Sequence, residues 1–254
     1  MTALFHSIFF QPIFNLLIWL YGILPYKDIG ISIILMTLIV KVITYPLALL
    51  QIKQQRDMQE LQPKIEEIRK RLKDNQDEQA KELMELYKKE KVNPAAGCWP
   101  LLVQIPIFIA LYQALNVGLK AGGYGDLYAF VPTPTSIQTI FIGLFDLTKP
   151  NYVLAVLAGL IQFLQTRHIL KPPAATISQP PVIVAETKGA KDESMAAMMN
   201  KQMMYIMPVM TVFIGISLPG GLTLYWLVMS GLTLLQQVYV LRRMPPKIEP
   251  QLKG

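Results

Sequence analysis

The sequence predicts an all-α membrane protein with a five-helix transmembrane core, and three observations predict it. Hydrophobic residues make up 52% of the 254-residue chain and charged residues only 16%, whereas soluble domains carry about 25% charged residues. The apolar residues gather into runs near the ~20 residues that a helix needs to cross the hydrocarbon core. The basic residues fall on alternate connections, as the positive-inside rule requires of a multi-pass protein. Within lipid only helices and closed barrels satisfy the backbone, and these runs are too long and too uniformly apolar for barrel strands.

Residues 1–28 are hydrophobic and open to two readings. The run Ser7 to Pro25 is long enough to span, but Gln11 and Asn15 share a helical face, and Trp19 and Tyr21 favour the interface. It is either a helix lying flat at the outer interface or an extra span. No Lys or Arg precedes Lys27, so the basic start of a signal peptide or transit peptide is missing. A bacterial plasma membrane is the simpler location.

Span 1 covers 29–50, span 2 97–118, span 3 151–169, span 4 202–218 and span 5 221–241. Between them lie a polar segment at 51–96, an outer loop at 119–150, a Pro- and Ala-rich linker at 170–201, and a tail at 242–254. In the outer loop, Ile137 to Leu147 is expected to form a short interfacial helix. The segment 51–96 carries eleven Lys and Arg, the linker and its edges five, and the tail four; the opposite side holds only Lys27, Lys120 and Lys149. The first group therefore faces the cytoplasm, as does the C-terminus.

The segment 51–96 reads as a helical hairpin. Met58, Leu61, Ile65, Ile68 and Leu72 step by three and four, a narrow apolar stripe. Lys73 to Gln76 makes a polar turn, and Ala80, Leu83 and Tyr87 continue the stripe on a second helix. Pro63 is expected to start or kink the first helix, and Asn93-Pro94 to close the hairpin. Met58, Leu61, Ile65, Arg69, Leu83 and Tyr87 are the candidate docking surface, weighed against a merely solvated basic loop.

Lys41 is the residue with the most chemistry. It lies twelve positions into span 1, and a lysine that deep costs about 2.5–3.5 kcal/mol on insertion scales. None of the five spans contains an Asp or Glu, so an ion pair within the bundle is not available. A wet cavity lined by neutral polar groups is the remaining compensation. The candidates are Thr37 one turn before Lys41, Gln104 and Gln113 with Asn116, Gln162 and Gln165, and Tyr225, Trp226, Ser230, Thr233, Gln236 and Gln237. Against this stand bland readings: a lone Gln as interhelical glue, and Tyr225 and Trp226 as interface anchors. The single cysteine, Cys98, allows no internal disulfide and reads as a packed hydrophobe. No paired carboxylates, metal-spaced ligands, nucleophile–base pair or nucleotide-binding loop appear, so neither an enzyme nor a cofactor is expected.

Several blocks in order resemble the YidC/Oxa/Alb insertases over nearly the whole chain. They are Gln11-Pro12-Ile13-Phe14 with Trp19, Ile39-Val40-Lys41 to Tyr45-Pro46-Leu47, Leu61-Gln62-Pro63-Lys64-Ile65, and Tyr87 to Pro94 running into Gly97-Cys98-Trp99-Pro100. Gln104-Ile105-Pro106-Ile107-Phe108, Ala110-Leu111-Tyr112 and Pro219-Gly220-Gly221 to Tyr225-Trp226 follow. The resemblance implies a five-helix core around a hydrophilic groove open to the cytoplasm and closed outside, with 7–25 flat at the outer interface. The family's groove charge is usually arginine; Lys41 keeps the charge but loses the planar fork and can lose its proton. Longer relatives carry an N-terminal span and an outer domain, which this chain is expected to lack.

The function implied is an insertase and chaperone for nascent membrane proteins, working without ATP. The implied partners are nascent membrane proteins, the ribosome and the lipid bilayer, with the Sec translocon and the signal recognition particle receptor as further candidates, and no DNA. The alternative is a small-solute or ion transporter using the same polar cavity. Such transporters usually carry acidic residues in their spans or an internal repeat, and neither is seen here.

Overall fold

The computed structural model describes residues 3–93, 99–118, 123–169 and 204–243. Cys98, Pro94, the linker 170–201 and the tail beyond Arg243 lie outside the described residues. Among the described residues are eight helices: α1 (Ala3–Ile23), α2 (Ile29–Ile43), α3 (Tyr45–Arg71), α4 (Gln76–Lys89), α5 (Trp99–Gly118), α6 (Tyr152–Ile169), α7 (Met204–Gly215) and α8 (Gly220–Arg243). A two-stranded antiparallel hairpin, β1 (Ile140–Phe141) and β2 (Phe145–Asp146), completes the fold. The molecule is thus a mostly helical membrane protein. By length and composition α1 and α8 each suffice to cross a bilayer, as does α2 taken together with the start of α3.

Local chemistry sets the helix boundaries. Asp28 caps α2: its Oδ1 accepts from the Gly30 and Ile31 amides at 2.7 and 3.2 Å. This satisfies two of the N–H groups a helix start leaves open. The run 29–50 is not one straight helix. It bends by 67° between α2 and α3, because Pro46 has no N–H to offer the Val42 carbonyl and Thr44 unwinds to φ −84°, ψ 1°. Pro63, expected to start or kink a helix, does not start one: it sits on the exposed side within α3, which continues to Arg71. In α1 one turn widens over His6–Phe10, with the Gln11 amide donating to the His6 carbonyl, just ahead of Pro12.

The core lies where α1, α2, α5 and α8 meet. Phe14, Ile18, Ile33, Met36, Ala110, Leu111, Leu222 and Tyr225 are buried there. α8 also packs along α6, and α6 meets α7 closely at Gly159, where an added Cβ would stand 2.4 Å from Val212.

The segment from Gly123 to Gln138 runs along nearly the whole length of α1. His6 lies 3.2 Å from the Asp126 carboxylate. Asn15 donates to the Asp126 carbonyl and accepts from the Tyr128 amide. Tyr21 Oη donates to the Ser136 carbonyl and accepts from the Gln138 amide. Over Ile137 to Leu147 the expected helix is absent; the hairpin stands in its place. Ile142 and Gly143 have φ of +48° and +74°, and two consecutive left-handed residues reverse the chain.

α3 and α4 form the expected helical hairpin. Asn75 caps α4, accepting from the Glu78 amide at 3.3 Å while its own amide donates to the Glu78 carboxylate at 2.9 Å. Lys91, at φ +55°, ends α4; the Lys91 and Val92 amides donate to the Lys88 and Tyr87 carbonyls, a Schellman closure. Leu61, Ile65 and Val92 make the hairpin core, with Met58, Leu83, Leu86 and Tyr87 packed on it, and Ile68 is buried farther along α3. Arg71–Glu82 and Lys64–Glu90 pairs bridge the arms.

Candidate functional site

Lys41 is twelve residues into α2, about 18 Å from its start at 1.5 Å per residue. Its side chain reaches α8, where Nζ donates to the Thr233 hydroxyl at 2.9 Å. Thr233 donates in turn to the Met229 carbonyl at 2.7 Å, so the hydroxyl is oriented to accept. Among the described residues Lys41 has no carboxylate partner, and its remaining ammonium protons find no acceptor. An ammonium has three donors, so this half-buried one has hydrogen-bonding capacity beyond its neutral oxygen partner.

A second polar pair links α5 to α8. Gln104 Nε2 donates to Tyr225 Oη at 2.6 Å, and Tyr225 is 1% exposed. Trp226 follows it, half-buried, with Phe108 set edge-on at 5.9 Å. Tyr225 and Thr233 are eight residues apart on one face of α8, about 12 Å along its axis. The two pairs therefore form a line of polar groups along one face and not a single cluster.

Other predicted groove residues behave differently. Thr37 is fully buried and its hydroxyl donates to the Ile33 carbonyl at 2.6 Å, so it offers nothing to a groove. That return to the preceding turn is the usual resort of a threonine inside a helix. Asn116 likewise bonds the Tyr112 carbonyl. Gln162 and Gln165 on α6 are half-buried, their side chains in neither pair, and Ser230 is buried on α8. Gln113 Oε1 is buried without a partner.

Gln236 and Gln237, one turn past Thr233, are the polar groups that spacing alone leaves unranked. Both Gln236 amide atoms and Gln237 Oε1 are buried with no hydrogen-bond partner. Three such atoms on adjacent residues make a buried polar patch that the described protein groups leave unpaired. Asp28, which no sequence pattern marks, accepts from the Ile142 amide at 2.8 Å besides capping α2, fixing the β-hairpin to the start of α2.

The apolar stripe proposed as a docking surface faces inward. Leu61 and Ile65 are buried in the hairpin's own core, with Met58, Leu83 and Tyr87 packed on them. Arg69 contributes its carbonyl to Gln79 across the turn. Two amphipathic helices bury their apolar stripes on each other first, and of the apolar residues of α4 Met84 stays exposed among the charges.

Among the described residues no cluster of His, Cys, Asp or Glu is placed to hold a metal. In the segment joining the β-hairpin to α6, the Thr148 hydroxyl and amide hydrogen bonds, with Lys149 adjacent, hold the Asp146 carboxyl below the usual carboxylate range.

A sequence profile described as "60Kd inner membrane protein" matches residues 19–247. The chain is 36% identical to the membrane protein insertase YidC of Brucella melitensis, over 96% of this chain and 37% of that protein. It is 35% identical to the YidC of Methylorubrum extorquens, over 94% of this chain and 36% of that protein. With the YidC of Tolumonas auensis it shares 35% identity over 93% and 37%. The chain spans little more than a third of the length of these relatives.

Proposed function

This chain belongs to the 60Kd inner membrane protein family of YidC-type insertases, and from that membership we propose that it inserts nascent membrane proteins into the bilayer through a hydrophilic groove. The observation that carries the proposal is the Lys41–Thr233 contact: an ammonium deep in an apolar helix, held by one neutral oxygen and by no carboxylate among the described residues.

In this reading α2, α5, α6, α7 and α8 are the five spans, with the basic hairpin and the C-terminus in the cytoplasm. α1 lies flat at the outer interface. Supporting that position, the segment 123–138 touches α1 from His6 through Asn15 and Tyr21 to Gly22, about 24 Å of helix. A helix crossing the membrane would carry its far end to the opposite face, out of reach of an outer segment.

The groove runs along the α8 face bearing Tyr225, Thr233, Gln236 and Gln237. A polar tail or loop of a nascent protein enters from the cytoplasm. Lys41 attracts its acidic residues, and the Gln104–Tyr225 pair, Trp226 and the two open glutamines replace its water hydrogen bonds. The substrate's apolar helix then passes sideways into lipid, driven by burial worth about 25 cal/mol per Å², with no ATP step. The ribosome delivers the chain near the basic hairpin.

Photocrosslinking tests this. A photoreactive residue at Trp226 should capture ribosome-bound nascent membrane proteins, whereas one at Thr37, buried and facing its own helix, should not. Equal capture from both positions, or none from Trp226, would refute the groove.

A further inference from the structure

The β-hairpin at the start of α2 has one covered apolar face, and its other face is apolar at the tip, with Asp146, paired to Ile140, as the polar residue at its base. Phe141 and Phe145, directly paired across the strands, point inward and pack on the core. Phe141 lies against Gly30 so closely that an added Cβ would stand 2.2 Å from its ring. Ile140, Ile142 and Leu144 point the other way and are 45%, 55% and 73% exposed. A hairpin with one face in water alternates apolar with polar residues; Asp146 on the second strand follows that rule, whereas Ile140, Ile142 and Leu144 break it.

The tip also holds an unfavourable residue. Ile142 sits at φ +48°, a region that a β-branched residue adopts only under strain. Asn or Gly would take that conformation with little strain. The structure secures it instead, with the Asp28 carboxylate accepting the Ile142 amide. A strained, exposed isoleucine contributes nothing to the hairpin's own packing, so its use lies outside the chain.

The hairpin's position identifies what it meets. It is tied to the start of α2 through Asp28 and to the start of α8 through the Gly221 and Gly220 amides, which donate to Leu147 and Lys149. Three residues past Lys149, α6 begins with Tyr152, Val153 and Val156, all exposed apolar side chains of a membrane helix. Tyr26 and Phe130 are also exposed, at 79% and 71%. Tyrosines and lysines beside apolar residues are the composition of a membrane interface, and the apolar tip is continuous in the chain with the lipid-facing surface of α6.

We propose that the tip Ile140–Leu144 is a lipid-binding anchor that enters the interface of the leaflet at this end of the bundle, opposite the basic hairpin. Three apolar side chains reach about 5–10 Å into the headgroup and acyl boundary, with Lys149 left at the phosphate level. The anchor fixes the depth of the α2, α6 and α8 starts independently of what passes through the groove.

The test uses the full chain with Cys98→Ser, reconstituted in vesicles of phosphatidylethanolamine and phosphatidylglycerol. An environment-sensitive fluorophore is attached at Leu144→Cys, and in a separate sample at Asp74→Cys in the α3–α4 turn. The Leu144 label should emit to the blue and lose intensity when lipids carry a nitroxide on the upper acyl chain; the Asp74 label should do neither. Adding Ile142→Asn, which suits the left-handed turn and removes an apolar anchor, should shift the Leu144 label toward water with the helical circular dichroism unchanged. Water-like emission at Leu144 insensitive to nitroxide lipids overturns the proposal. So does a signal that depends on protein concentration and not on the quencher, which would assign the face to a second copy. Crosslinking to nascent chains from Trp226 is read separately, so loss of one result leaves the other standing.

Discussion

Replacing Lys41 by Ala removes one charge and its hydrogen bond to Thr233, and the effect on insertion follows from where the ammonium sits. A carboxylate on a translocating tail that comes within 4 Å of Nζ gains about 1 kcal/mol if the groove is as wet as bulk water, and about 4 kcal/mol at the effective dielectric typical near protein surfaces. Because about 1.4 kcal/mol is tenfold, the low end is about a fivefold loss in the equilibrium for entering the groove, and the high end far more. The folded bundle itself should not suffer, since a charge costing about 2.5–3.5 kcal/mol to insert is deleted and Thr233, which loses one hydrogen bond, keeps its bond to the Met229 carbonyl. The assay is protease protection of a single-span substrate in vesicles containing wild type, Lys41→Ala or Lys41→Arg. The substrate is made in two forms, with an acidic or a neutral translocated tail. Lys41→Ala should slow the acidic form by at least about fivefold and leave the neutral form nearly unchanged; Lys41→Arg should preserve both. Equal slowing of both tails would refute the electrostatic argument, because a packing defect does not distinguish them.

Gly30→Ala places a Cβ 2.2 Å from Phe141 and should destabilise the protein by about 1–3 kcal/mol, read as a lower unfolding temperature in detergent. Asp28→Ala removes a helix cap and the tie to Ile142; at about 1 kcal/mol for the cap alone, amide exchange should quicken first at Gly30, Ile31 and Ile142. Lys91→Gly relieves a left-handed residue at the end of α4 and should slow local opening of the α3–α4 hairpin, by about 1 kcal/mol in exchange free energy. Asp146 titrates below the usual carboxylate value, so its contribution is complete above that value and is lost as pH falls through the lower, folded one. The Asp146 carboxyl resonance should report that shift, and Thr148→Ala, which removes the hydroxyl but keeps the backbone amide and Lys149, should reduce it.

The parts of this fold legible in the sequence are those written as local patterns. The step of three and four from Met58 to Leu72 marks the hairpin helix, and Lys73 to Gln76 marks its turn. Lys41 stands out because it interrupts an apolar run without any acidic residue in the spans. Features settled by distant or backbone partners were not legible. Asp28 looks like a connector residue, and its third partner, Ile142, is 114 positions away. Thr37 shares the Lys41 face, but spacing along a helix does not reveal that its hydroxyl turns back to Ile33. The stripe at Leu61 and Ile65 suits a partner's helix as well as its own second arm, and only the folded hairpin decides between them. Over Ile137 to Leu147 an apolar run suggested a helix, while the Ile142-Gly143 turn made a hairpin.

The central claim is that the Lys41–Thr233 pair sits in a hydrated groove reached from the cytoplasm, and thiol labelling at Thr233→Cys in a Cys98→Ser background tests it most directly. A membrane-impermeant maleimide should modify that cysteine in inside-out vesicles and leave it untouched in right-side-out vesicles. Modification from the outer face, or protection from both faces while a cysteine in the α3–α4 hairpin reacts fully, would contradict it.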